Sequence, residues 1–101
     1  MFNPFKLFAG PKVNYRELVQ QGAIIVDVRS SHEFRSGHIA GSRNIPVDQL
    51  SGKIAELKKT DQSVITVCQS GMRSGMAKTL LTSAGITAYN GGPWSSLQSK
   101  L

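Results

Sequence analysis

Two short runs of aliphatic and β-branched residues, Ala23–Val28 (AIIVDV) and Ser63–Val67 (SVITV), constrain this chain more than any other feature. Each is too short for a typical helix and lacks the polar alternation of a half-exposed strand, so both read as strands covered on two faces. Strands of that kind need helices above and below them, and the flanking segments supply them. Asn14 followed by Glu17 forms a capping-box pattern ahead of YRELVQQ, where Leu18 and Val19 give an apolar side and Gly22 a stop. A helical turn is expected over Ser31–Arg35, and a loop punctuated by Gly37, Gly41 and Pro46 follows. Val47, Leu50, Ile54 and Leu57 recur at helical spacing through Val47–Lys59, with Gly52 as a break. Ser74–Ala84 places Ala77, Leu80, Leu81 and Ala84 on one side of a helix and ends at Gly85, a residue suited to the position just past a helix end. Thr87–Tyr89 reads as a short strand, Asn90-Gly91-Gly92-Pro93 as a turn and Trp94–Leu101 as a closing helix. Strands alternating with helices predict an α/β domain whose central, mostly parallel sheet carries helices on both faces.

A chain of 101 residues has the size of one such domain, assigned here to residues 13–101. Residues 1–12 form an arm that carries Phe2, Phe5 and Phe8, interrupted by Pro4 and followed by Gly10-Pro11; docking onto the domain is its simplest role. The start has no uninterrupted apolar segment of a signal peptide, and nothing approaches the ~20 apolar residues of a membrane span, so the cytoplasm is the default location. The formal net charge of +6 comes from cations spread along the chain, with only Lys58 and Lys59 adjacent. That pattern lacks the basic stripe of a nucleic-acid binder and reads as a solvated basic surface, which also concentrates small anions. The single cysteine excludes an intrachain disulfide and a cysteine-rich zinc site. His32 and His38 lack the spacing of metal ligands and read as a surface residue and a packed loop residue; no metal and no cofactor is expected. No heptad and no unassigned apolar helix face remains, which favours a monomer.

That cysteine, Cys68, stands where the second strand hands over to the Ser74–Ala84 helix, in VITVCQSGMRSGMAKTLL. In open α/β sheets the functional crevice lies beyond the carboxyl ends of the strands. The amides of Gln69, Ser70, Gly71, Met72 and Arg73 can converge on the sulfur, and the following helix directs its partial positive end to the same spot. Both effects favour thiolate over thiol. Gly71 permits the tight curl of backbone that such a cradle requires. Arg73 adds a permanent cation at the rim, suited to an anionic substrate and equally able to pair with Asp27 or Glu33. A buried, inert cysteine is the plain alternative for the thiol alone, and the loop and helix around it argue for a working one. Asp27 and Arg29 end the first strand near the mouth of this site and are read, with Ser74, as residues that support it; structural pairing between charges is an equal reading for the first two.

The segments VDVRSSHEFRSGHIAGSRNIP, VCQSGMRS and NGGPW together resemble the rhodanese-like sulfurtransferases, from about Asn14 to the C-terminus. Two positions depart from the family pattern: Ser42 stands where alanine is usual, and Val67 where an aromatic residue is common. The resemblance implies a three-layer α/β/α fold and a catalytic cysteine, Cys68, that carries sulfane sulfur as a persulfide in the cradle of Gln69, Ser70, Gly71, Met72 and Arg73. The implied partners are a small anionic donor such as thiosulfate and a thiol or cyanide acceptor, with an acceptor protein as a further candidate. Phosphatases and arsenate reductases that resemble rhodaneses place five residues between cysteine and arginine, whereas Gln69–Met72 make four, which favours sulfur over a tetrahedral oxyanion. A binding or regulatory module, or a relay serving one acceptor protein, is the alternative from another class. Retention of Cys68 argues against an inactive module.

Overall fold

The computed structural model describes residues 12–101, so the arm bearing Phe2, Phe5 and Phe8 lies outside the described residues. The elements run α1 (Tyr15–Gln20), β1 (Ile24–Asp27), α2 (Ser31–Arg35), β2 (Arg43–Asn44), a 3-10 helix (Val47–Lys53), α3 (Ile54–Lys59), β3 (Val64–Cys68), α4 (Met72–Ser83), β4 (Ala88–Pro93) and α5 (Trp94–Gln98). The four strands form one sheet in the order β2-β1-β3-β4, and every neighbouring pair is parallel. The two apolar runs sit side by side at its centre, Ile24–Asp27 in register with Val64–Val67.

Because successive side chains of a strand point to opposite faces, each central strand feeds two cores. On one face Val26, Val64 and Cys68 pack with Leu50, Leu57, Ala77 and Leu81 from the 3-10 helix, α3 and α4. On the other, Ile25, Ile65 and Val67 pack with Ile39 and Leu97, flanked by Tyr15, Leu18 and Trp94. The α/β architecture with helices on both faces is therefore the one the two apolar runs demand.

Local signals set the smaller helices. The Asn14 side chain accepts from the Glu17 N–H and starts α1. Ser30 and Glu33 form a reciprocal capping box that starts α2. Several elements differ from the sequence expectation. The stretch Val47–Lys59 breaks beside Gly52 as expected, but its first half, Val47–Lys53, is a 3-10 helix and only Ile54–Lys59 is α-helical. Arg43–Asn44, expected as loop, is a two-residue strand, because β1 offers it backbone partners at Val26 and Asp27 that no local pattern announces. The long helix starts at Met72 rather than Ser74, two residues into the expected loop. Leu80, expected in its apolar side, is 37% exposed, whereas Ala77 and Leu81 are fully buried.

The largest difference lies at Asn90-Gly91-Gly92-Pro93, expected as a turn and found as the continuation of β4. Thr66 pairs with Asn90 and Val67 with Gly92, so Gly91 is the extra residue of a β-bulge. A Cβ on Gly91 would stand 2.9 Å from Ile65 Cγ2 and 3.0 Å from both the Thr66 carbonyl oxygen and Val67 Cγ1. Only glycine lets β4 lie that close to β3.

Candidate active site

Cys68 is the last residue of β3 and its side chain turns to the face covered by α4. The chain then has to reverse into that helix within three residues, and Gly71 does so with φ 100°, a left-handed conformation unfavourable for other side chains. The reversal directs the Gly71 N–H at the sulfur, which accepts it at 2.9 Å. Ser74, on the first turn of α4, places its Oγ 3.3 Å from Cys68 Sγ. The first turn is itself fastened to the sheet, since the Thr66 hydroxyl donates to the Ser74 carbonyl at 2.8 Å. The twelve-residue α4 thus ends its dipole on the thiol.

Burial is the strongest single influence on Cys68 and opposes ionisation, the residue being 0% exposed. It is outweighed by the Ser74 hydroxyl and by the backbone N–H groups of Ser74, Gly71 and Ser70, so that the thiol lies below its ordinary pKa. The net result is a buried sulfur surrounded by donors.

The other residues read from the sequence fall into three groups. Gln69 and Ser70 are exposed on the arch over the sulfur, and Gly71 is half-buried within it. Met72 opens α4 with its side chain 78% exposed, and the backbone N–H groups directed at the sulfur are those of Ser70, Gly71 and Ser74. Arg73 is held by Glu33 of α2 through two bonds, Nη1 to Oε1 at 2.7 Å and Nη2 to Oε2 at 3.0 Å, which settles its partner between Asp27 and Glu33. Arg73, helped by the Ser30 N–H, holds the Glu33 carboxyl down to about 2.

Asp27 and Arg29 form a separate device. Asp27 stands in register with Val67, so its side chain lies on the opposite face of the sheet from Cys68. Arg29 Nε donates to Asp27 Oδ1 at 2.9 Å and Nη2 to Oδ2 at 2.7 Å, and Nη2 also donates to the Gly37 carbonyl at 2.8 Å. The guanidinium lies 5.0 Å from the Trp94 ring centre. The pair therefore clamps the Gly37 loop against α5. His38 beside it stacks on Phe34 with ring centres 3.7 Å apart. Among the described residues there is no group of three or more His, Cys, Asp or Glu side chains arranged to hold a metal ion, and no helix long and apolar enough to cross a membrane.

One residue at the site was missed. Asn90 Oδ1 accepts from the Ser74 hydroxyl at 2.7 Å and from the Gly92 N–H at 2.9 Å, while its Nδ2 donates to the Gly71 carbonyl at 3.2 Å. The one sequence signal was an amide ahead of two glycines, which reads equally well as a turn.

The family model described as the Rhodanese-like domain matches residues 12–95. The chain belongs to this family. Among relatives of this rhodanese-like chain, the uncharacterized protein YqhL of Bacillus subtilis is 45% identical over 69 residues, which cover 67% of this chain and 54% of that protein. The thiosulfate sulfurtransferase GlpE of Stutzerimonas stutzeri is 38% identical over 66 residues, covering 65% of this chain and 60% of that one. The chain spans about half the length of the first curated relatives it matches. Among solved structures, the human single-domain sulfurtransferase TSTD1 superposes with a TM-score of 0.68 at 29% identity, covering 86% of this chain and 91% of that one. The rhodanese fold, with its parallel central sheet between helices, is thereby established for this chain.

Proposed function

We propose that the protein is a sulfurtransferase that carries sulfane sulfur on Cys68. The observation that carries this reading is the environment of the sulfur: a buried Sγ that accepts the Gly71 N–H at 2.9 Å, with the Ser74 hydroxyl 3.3 Å away, at the N-terminus of α4. A thiolate there attacks the outer sulfur of a donor such as thiosulfate; the S–S bond of the donor breaks and sulfite departs with the electron pair. The product is a Cys68 persulfide, whose outer sulfur carries the negative charge. A thiophilic acceptor, cyanide or a thiol, attacks that outer sulfur and restores the thiolate. This is covalent catalysis in two half-reactions. The amide donors stabilise the anion at each stage, which removes the need for a neighbouring base.

Arg73 is the residue assigned to the donor's oxygens. Its fork of N–H groups matches a sulfonate-like anion, and its present partner Glu33 is half-exposed and therefore exchangeable. Because Cys68 is covered, the donor has to displace part of the exposed Gln69–Ser70 arch. Relatives named as thiosulfate sulfurtransferases support this reading, as does a basic chain that attracts small anions.

The test is the intact mass of the reduced protein after incubation with thiosulfate, repeated with Cys68→Ser. The expected result is a gain of about 32 Da, one sulfur atom, reversed by cyanide and absent in the variant. No gain with thiosulfate, mercaptopyruvate or a low-molecular-weight persulfide would overturn the reading in favour of a binding module.

A further inference from the structure

The β4 bulge is the feature that neither the sequence reading nor the sulfur-transfer reading uses. Bulges beside active sites commonly re-aim a side chain, and this one, at Gly91, leaves the Asn90 amide lying against the first turn of α4. The helix is built to receive it. Gly75, a costly residue inside a helix, has the Asn90 Nδ2 3.3 Å from where its Cβ would be, so a larger side chain there would press on the amide. Asn90 thus spans three parts of the cradle: the Gly71 carbonyl, the Ser74 hydroxyl and the Gly92 N–H.

The hydrogen count at Ser74 is informative. Its hydroxyl has one proton and two neighbours able to accept it, Asn90 Oδ1 at 2.7 Å and Cys68 Sγ at 3.3 Å. Ser74 is fully buried, so water offers no third partner. We propose that Asn90 is a positioning residue that acts on Cys68 through Ser74: its amide oxygen competes with the sulfur for the Ser74 hydroxyl proton and so sets how far that proton can serve the thiolate. With the thiol protonated, Cys68 S–H donates to Ser74 Oγ and Ser74 O–H donates to Asn90 Oδ1. When the thiol proton leaves to solvent, the Ser74 O–H turns to the sulfur anion, and Asn90 Oδ1 keeps the Gly92 N–H. Every buried polar group stays paired in both states.

Asparagine is suited to this place by its two-sided amide. Aspartate would accept from Ser74 and Gly92 but has no N–H for the Gly71 carbonyl, and it would set a negative charge beside the forming thiolate. The charged groups near the thiol are otherwise paired: Arg73 on α4 with Glu33 on α2, and Asp27 at the end of β1 with Arg29. The titratable residue of β4, Tyr89, lies on the other face. The Asn90 amide is thus the neutral acceptor in direct competition with the thiolate.

The inference rests on Cys68 being the nucleophile of the proposed reaction, and its test is independent of any sulfur donor. The pH dependence of Cys68 alkylation by iodoacetamide reports thiol ionisation in the wild type, Asn90→Ala, Ser74→Ala and the double variant. Removing the competing acceptor should move the alkylation midpoint to lower pH in Asn90→Ala, by up to about one pH unit, a tenfold change in thiolate fraction. Ser74→Ala should move it upward, and adding Asn90→Ala to Ser74→Ala should move it no further, because the amide acts through the hydroxyl. Asn90→Asp should move it upward and serves as the second variant if Asn90→Ala folds poorly. An upward shift in Asn90→Ala, or equal shifts with and without Ser74, would overturn the proposal and leave the persulfide assay unaffected. Loss of sulfur transfer with the expected cycle intact would instead fault the sulfurtransferase reading.

Discussion

Asp27–Arg29 and Glu33–Arg73 are both arginine–carboxylate pairs at the carboxyl end of the same sheet, one sealed and the other half open. The side chains of Arg29 and Asp27 are 4% and 0% exposed, those of Arg73 and Glu33 37% and 34%. Sealing fixes the role. A buried pair has given up its hydration and depends on each partner for the other's charge, and Arg29 uses the second N–H of Nη2 to hold the Gly37 carbonyl. The exposed pair keeps water as an alternative partner, so exchanging Glu33 for another anion costs little. Two identical chemistries thus form a sealed clamp on one face and a solvent-screened contact on the other.

The sharpest way to break this contrast is to remove one member of the sealed pair. Asp27→Ala leaves the Arg29 guanidinium buried without its carboxylate and should cost about 3–5 kcal/mol, read as a lower urea midpoint. The folded fraction should still gain sulfur on Cys68, since the pair faces away from it. A loss below ~1 kcal/mol would mean that the clamp is as dispensable as a surface pair.

The same contrast shows what the sequence could reveal. Strands β1 and β3 were legible because continuous β-branched runs report two-sided burial directly, and Cys68 with Gly71 was legible because a strand–loop–helix junction places a thiol at a helix N-terminus from local information. That Asp27 ends β1 was legible from the apolar run before it, but which face it and Arg29 occupy follows from the register with Val67, a partner forty residues away. Asn90 was hidden for a related reason. Its aim depends on the bulge at Gly91, and the bulge exists only because β4 lies against Ile65 and Val67. Arg43–Asn44 is a strand through pairing alone. Local chemistry is written in the sequence; register and face are decided by neighbours distant along the chain.

Arg73→Met tests the open pair from the functional side. Methionine keeps an unbranched apolar stem and removes the charge, so stability should change by less than about 1 kcal/mol. Loss of a charged hydrogen-bonding partner for the donor should raise KM for thiosulfate on the order of 10- to 100-fold, with a smaller effect on kcat. An unchanged KM, measured as sulfite release under cyanide, would return Arg73 to a purely structural role beside Asp27–Arg29.

The smallest effect is the pH response of the open pair, and its sign is fixed by the carboxylate. Glu33 is held down to about 2 in the folded protein, first by Arg73 and then by the Ser30 N–H, whereas the unfolded chain titrates near the ordinary carboxyl value of 4.5. A lowered folded-state pKa means that the contribution is complete above the unfolded value and is lost as the pH falls toward 2. Since about a third of each side chain meets solvent, solvent screening limits that contribution to less than about 1 kcal/mol. Glu33→Gln retains an acceptor for Ser30 and abolishes the charge, so the stability gap between wild type and variant isolates the pair. That gap should be constant from neutral pH down to about 5, narrow below it, and close near pH 2. Added salt should shrink it at neutral pH, because a half-exposed pair is screened where the sealed Asp27–Arg29 pair is not. A gap independent of both pH and salt would mean that Arg73 and Glu33 are held together as firmly as the buried clamp, and an anionic donor would then have no contact to replace.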